Sequence, residues 1–134
     1  MGKKKALIIT DGTKTIRAAA LLIKESLKES LDEYKVKICP AKRFSGTDLL
    51  GADIFFIGSK RHKPKSFVYL EEMLSHINLA SRKCGIFSIN EKAINYHRAI
   101  LNDCEASLSE PLIFSEEKIE KSIISKWVKK IIKN

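Results

Sequence analysis

The sequence has no apolar run approaching the ~20 residues that a bilayer-spanning helix requires, so no membrane span is expected. Its start, MGKKKALIIT, is basic and then apolar, but the run is too short for a secretory leader and leads directly into a structured pattern. Cysteine is sparse: Cys39, Cys84 and Cys104 are odd in number, far apart, and part of no CxxC or His/Cys cluster. That argues against a disulfide scaffold and a zinc site, and points to buried free thiols in a reducing, cytoplasmic setting. A GxxxxGK[ST] phosphate loop is missing. His62, His76 and His97 are scattered, and no spacing suggests a Ser-His-Asp or Cys-His nucleophile. A phosphoacceptor receiver needs an acidic pair after the first strand and an Asp ending the third. Here only Asp11 follows the first apolar run, and Asp53 begins the third.

What is present is a chain of 134 residues, 44% hydrophobic and 31% charged, a composition that suits one folded domain over residues 1–134. The net charge is +9 and it is uneven. Residues 1–67 hold 15 Lys/Arg against 7 Asp/Glu, and residues 68–134 hold 10 against 9. The excess in the first half favours an anionic partner: a nucleotide, nucleic acid, an acidic protein or anionic lipid.

Hydrophobic periodicity alternates between two and 3.6 residues. Strands are expected at 5–10, 34–40, 52–59, 83–89 and 107–114. The continuous apolar runs ADIFFIGS and KCGIFSI suit strands buried on both faces, whereas YKVKICP alternates with charge as an edge strand does. Helices are expected at 15–33, 45–50, 66–80, 91–103 and 116–133. In the first, Ile16, Ala19, Ala20, Leu22, Ile23, Leu27 and Leu31 form the apolar stripe. In the third, Phe67, Leu70, Met73, Leu74 and Ile77 point inward. In the last the stripe is Ile119, Ile123, Ile124, Trp127, Val128, Ile131 and Ile132.

Strands alternating with helices in one small domain imply a parallel α/β sheet covered on both faces. Ligands of such sheets sit at the carboxyl ends of the strands, where the strand order reverses. Three loops meet that condition. In the first, Thr10, Asp11, Gly12, Thr13, Lys14 and Thr15 join a strand to a helix N-terminus, whose unpartnered N–H groups favour an anion. The three threonines add hydroxyls, and Lys14 and Arg17 add charge. In the second, Ser59, Lys60, Arg61 and His62 follow Gly58, with Lys63 and Lys65 beyond them. In the third, Ser88 and Asn90 offer polar groups and Tyr96 a ring.

Taken together, KALIIT with its Thr-rich turn, DLLGADIFFIGS, KCGIFSI and the closing KWVKKII resemble a short-chain flavodoxin or flavodoxin-like domain over nearly the whole chain. The resemblance implies a three-layer sandwich with a five-stranded parallel sheet in the order 2-1-3-4-5. It also implies FMN as cofactor and electron transfer with a redox partner protein rather than enzymatic chemistry. The family's phosphate turn has the form Thr/Ser-x-Thr-Gly-x-Thr; Thr10 and Thr15 match its ends, with Gly12 and Thr13 in inverted order. His62 takes the position, four residues after the strand-ending glycine, where many members place an aromatic ring on the flavin. Tyr96 is the nearest counterpart of the second aromatic, and lies some residues later than the usual place. Members are acidic around the flavin; the basic loop here would favour the reduced anion and raise the potential. The alternative is a flavin-free domain of the same fold. Its basic edge would contact an acidic protein or, less favoured, a nucleic acid.

Overall fold

A computed structural model describes residues 4–30 and 33–133. The sheet is parallel. β1 (Lys4–Thr10), β2 (Tyr34–Pro40), β3 (Ile54–Gly58) and β4 (Lys83–Ser88) are followed by two short pieces, β5 (Ser107–Leu108) and β6 (Leu112–Ile113). The order is β2-β1-β3-β4-β5, with β6 also paired to β4. This is the order implied by the resemblance, with the last strand broken in two. Pro111 lacks an N–H for the ladder, and the carbonyl of Glu110 instead accepts the indole N–H of Trp127 at 2.7 Å. Pairing resumes on each side, where Ser109 N–H donates to Cys84 O and Phe114 N–H to Ser88 O.

β3 and β4 are buried along almost their whole length, as their unbroken apolar runs require. β2 lies at the edge, and only its Cys39 is fully buried. Each face of the sheet has its own core. One holds Leu7, Ile9, Phe55, Ile57 and Ile86 under α2 (Gly46–Gly51), α3 (Val68–Leu74) and α4 (Glu91–Leu101). The other holds Ala6, Ile8, Phe56 and Phe87 under α1 (Lys14–Lys28) and α5 (Lys121–Lys133). Gly58 stands opposite Phe87 in the β3–β4 register, and a Cβ added there would lie 2.5 Å from the Phe87 ring. The Phe87 ring therefore packs against the end of β3 only because residue 58 is glycine.

Four helices end or begin away from where the periodicity puts them, each with a local cause. α1 ends at Lys28, where the Ser30 hydroxyl takes the Leu27 carbonyl at 2.7 Å. Leu31, expected on the same stripe, lies outside the described residues. The helix expected over 66–80 is a 3-10 turn at Lys65–Phe67 and then α3, which stops at Leu74. Beyond it the Ser75 hydroxyl caps the Glu72 carbonyl, and Leu79 N–H donates to Cys104 O at 2.7 Å, which draws Leu79 into the core instead of continuing the helix. The helix expected to run to 103 passes into a 3-10 turn at Asn102–Cys104 and stops at Glu105, whose φ is +63°. α5 starts at Lys121 rather than 116. Ile119 packs on the core ahead of it, and Ile123 is 48% exposed on the flank of the stripe Ile124, Trp127, Val128 and Ile131. No helix among the described residues is long and apolar enough to cross a membrane.

Candidate functional site

The carboxyl ends of β1, β3 and β4 lie side by side, and their loops form one hydrogen-bonded assembly. In the first loop Gly12 has φ +80°, a conformation that favours glycine. The Thr10 hydroxyl accepts from Gly12 N–H at 3.2 Å. Asp11 is the hub. Its Oδ1 accepts from Thr13 N–H at 3.0 Å and from the Thr13 hydroxyl at 2.6 Å, and its Oδ2 accepts from Lys60 N–H at 2.7 Å. Thr13 is the N-cap of α1, but its hydroxyl is turned to Asp11 and leaves the first helical turn uncapped by a side chain.

The second and third loops are tied by their own polar groups. The Ser88 hydroxyl donates to Ser59 O at 2.6 Å, and Asn90 Nδ2 to Lys60 O at 2.7 Å. Asn90 also caps α4, its Oδ1 accepting from Ala93 N–H at 2.8 Å. The Ser59 hydroxyl, itself buried, donates to Arg61 O at 2.8 Å. Because that uses its only hydrogen, His97 Nε2, 2.8 Å from the same oxygen, is the donor. His97 is then the Nε2–H tautomer, and its buried Nδ1 has no hydrogen-bond partner. Burial holds the His97 pKa down at about 3, so the ring is neutral.

The residues expected to contact a ligand fall into convergent, exposed and buried sets. Thr15 and Lys60 converge: the Thr15 hydroxyl at 3.1 Å and the Lys60 ammonium at 2.7 Å both reach Glu116 Oε1. Hydrogen bonds from Lys60 first and Thr15 second hold the Glu116 carboxyl below its usual range. Lys14, Arg61 and Lys63 are exposed at the rim. His62 is exposed, with Nδ1 3.0 Å from Lys92 O, and its ring meets Tyr96 edge-on at 6.1 Å. Tyr96 is only 8% exposed and packs in the core, its hydroxyl donating to Glu71 at 3.2 Å. Burial first, and then Glu71, raise the Tyr96 pKa. Tyr96 therefore supports His62 from below rather than standing as a second free ring. Thr10, Ser59 and Ser88 are buried and shape the loops through their hydrogen bonds.

Two residues escaped the sequence reading. His97 had a signal, since it falls at helical spacing among Ala93, Ile94, Ile100 and Leu101, all on the buried face of α4. Glu116 had none, because it reaches Thr15 across 101 positions of sequence. Among the described residues no group of His, Cys, Asp and Glu could hold a metal ion.

The structure resembles solved flavodoxins. A short-chain flavodoxin associated with a PDU bacterial microcompartment superposes with a TM-score of 0.84 at 14% identity, covering 98% of both chains. The flavodoxin of Streptococcus pneumoniae TIGR4 gives 0.79 at 14% identity, covering 96% of this chain and 97% of its own. Flavodoxin 2 of Bacillus cereus gives 0.77 at 20% identity, covering 96% and 98%. No protein-family profile matches the sequence. No curated protein matches it either. The chain has the flavodoxin-like fold.

Proposed function

We propose that the protein binds FMN at the carboxyl edge of β1, β3 and β4 and works as an electron carrier. The observation that carries this reading is the convergence of Thr15 Oγ1 and Lys60 Nζ on one oxygen of Glu116, beside the N-terminus of a 15-residue helix. A carboxylate oxygen at that point stands in for a phosphate oxygen, and the donors fit one. Glu116 is 43% exposed in its side chain, so it is free to swing outward. When bound, FMN would supply one- and two-electron redox chemistry. Thr15 and Lys60 then hold its phosphate, and Lys14 adds charge at the first helical turn. His62, held by Lys92 O and backed by Tyr96, offers a ring face at the mouth of the second loop. Arg61 and Lys63 set a positive field there, which suits an acidic redox partner.

The test is an absorption spectrum of the purified protein together with FMN titration followed by fluorescence quenching. A flavin spectrum, or saturable quenching at micromolar FMN, is expected. A colourless protein that leaves FMN fluorescence unchanged overturns the reading.

One observation favours a second reading, a flavin-free binding module. Asp11 already takes the N–H and the hydroxyl of Thr13, two donors that a phosphate would use. On that reading the basic loop 58–65 contacts an acidic protein, and nucleic acid is the less favoured partner. Salt-sensitive retention on heparin or DNA without any FMN binding supports the module reading.

A further inference from the structure

The outer edge of β2 and the neighbouring flank of α1 form a groove on the side of the sheet away from β3. Among the described residues β2 pairs only with β1, so along residues 35–39 alternate backbone N–H and C=O groups face outward. Two hollows run along this flank. One, of about 420 Å³, is lined by Lys14, Arg17, Ala18, Leu21 and Ile38. The other, of about 500 Å³, is lined by Lys24, Lys28, Tyr34, Lys35 and Val36. Residues 14, 17, 21, 24 and 28 recur every three or four positions, so they share one face of α1. The floor is apolar, and Leu21 is 56% exposed upon it. None of the described residues lining either hollow is acidic. The carboxylates of Glu25 in α1 and of its C-cap Glu29 are engaged elsewhere, with Lys121 of α5.

We infer that this groove docks an acidic protein segment in extended conformation, added as a strand to the free edge of β2. Three features select that occupant. The open ladder of β2 is matched by a peptide backbone, which a nucleic acid or a lipid headgroup does not have. The apolar floor on the α1 side accepts the aliphatic side chains, Lys35 on the opposite face of β2 meets the carboxylates that alternate with them, and Lys24 and Lys28 add positive charge along the α1 flank. A second copy of this chain is disfavoured, because at net +9 it would bring two edges carrying Lys35 and Lys37 together. The same lysines thus block pairing with its own kind and attract a strand of opposite charge. The groove is built from residues other than those of the three ligand loops, apart from Lys14 and Arg17, so the inference stands whether or not FMN binds.

The test uses a fluorescent peptide of alternating Val and Glu, with a Val/Lys peptide, single-stranded DNA and phosphatidylserine vesicles as competitors. The expected result is saturable binding of the Val/Glu peptide, with amide NMR shifts concentrated at 34–38 and at the exposed face of α1. The double variant Lys24→Glu/Lys35→Glu should weaken it at least about tenfold, since two charge reversals act on one contact. Thermal unfolding of the variant checks that the fold is kept. A second variant, Leu21→Asp, reads the same site through its apolar floor and should also weaken binding. Shifts placed elsewhere, affinity unchanged in both variants, or tighter binding of DNA or vesicles to the same face would overturn the inference.

Discussion

His97 Nε2 lies 2.8 Å from Ser59 Oγ, and this buried contact ties α4 to the loop after β3. The imidazole stays neutral because burial makes its protonated form unfavourable. In the unfolded chain the same group titrates near its ordinary value of 6.5. Below that pH the unfolded state binds a proton that the folded state refuses. Stability contributed by this group is therefore complete above pH 6.5 and is lost as pH falls from 6.5 toward about 3, at up to about 1.4 kcal/mol per pH unit. Urea unfolding at pH 7 and pH 5 measures it. His97→Gln, which cannot titrate, should show a shallower loss between those two values.

Lys60 and Arg61 bear on the flavin reading. If FMN sits at this edge, Lys60→Gln/Arg61→Gln should weaken its binding and lower its two-electron potential, by on the order of tens of mV for charges near solvent. Redox titration with reference dyes reads the shift. An unchanged potential in a protein that still binds FMN would place both charges away from the ring.

Glu116 competes for the donors assigned to the phosphate. Glu116→Gln should tighten FMN by about a few-fold, because an exposed ion pair is worth little and only a weak competitor is removed. Thr15→Ala should act in the opposite direction. Fluorescence quenching titrations compare the two, and the same change of sign in both variants would exclude Glu116 as a competitor.

Gly58 and Gly51 form a contrasting pair. Gly58→Ala puts a Cβ 2.5 Å from the ring of Phe87, inside the core, and should cost about 1–3 kcal/mol by overpacking. Gly51→Ala meets nothing within 4 Å at the end of α2, and should be neutral or stabilising by up to about 1 kcal/mol. Chemical denaturation of both variants in parallel separates a packing effect from a loss of chain flexibility.

The amino-acid order by itself determined the architecture. Buried runs such as IFFIG suit interior strands, and the charged alternation of YKVKICP suits an edge, as the structure places them. These signals act over a few residues, and hydrophobic burial enforces them whatever the rest of the chain does.

Only the tertiary structure decided how the loops are wired. Asp11 is spent on Thr13 and on Lys60 N–H, and Lys60 meets Thr15 at Glu116, through contacts 49 and 101 positions apart. Tyr96 became a support for His62 rather than a free ring because α4 turns it onto the core. Strand 107–114 broke in two at Pro111, which has no N–H for the ladder, and only the fold brings Trp127 to the Glu110 carbonyl left there. Hydrogen bonds of this kind depend on where distant elements dock, and neither periodicity nor composition carries that information.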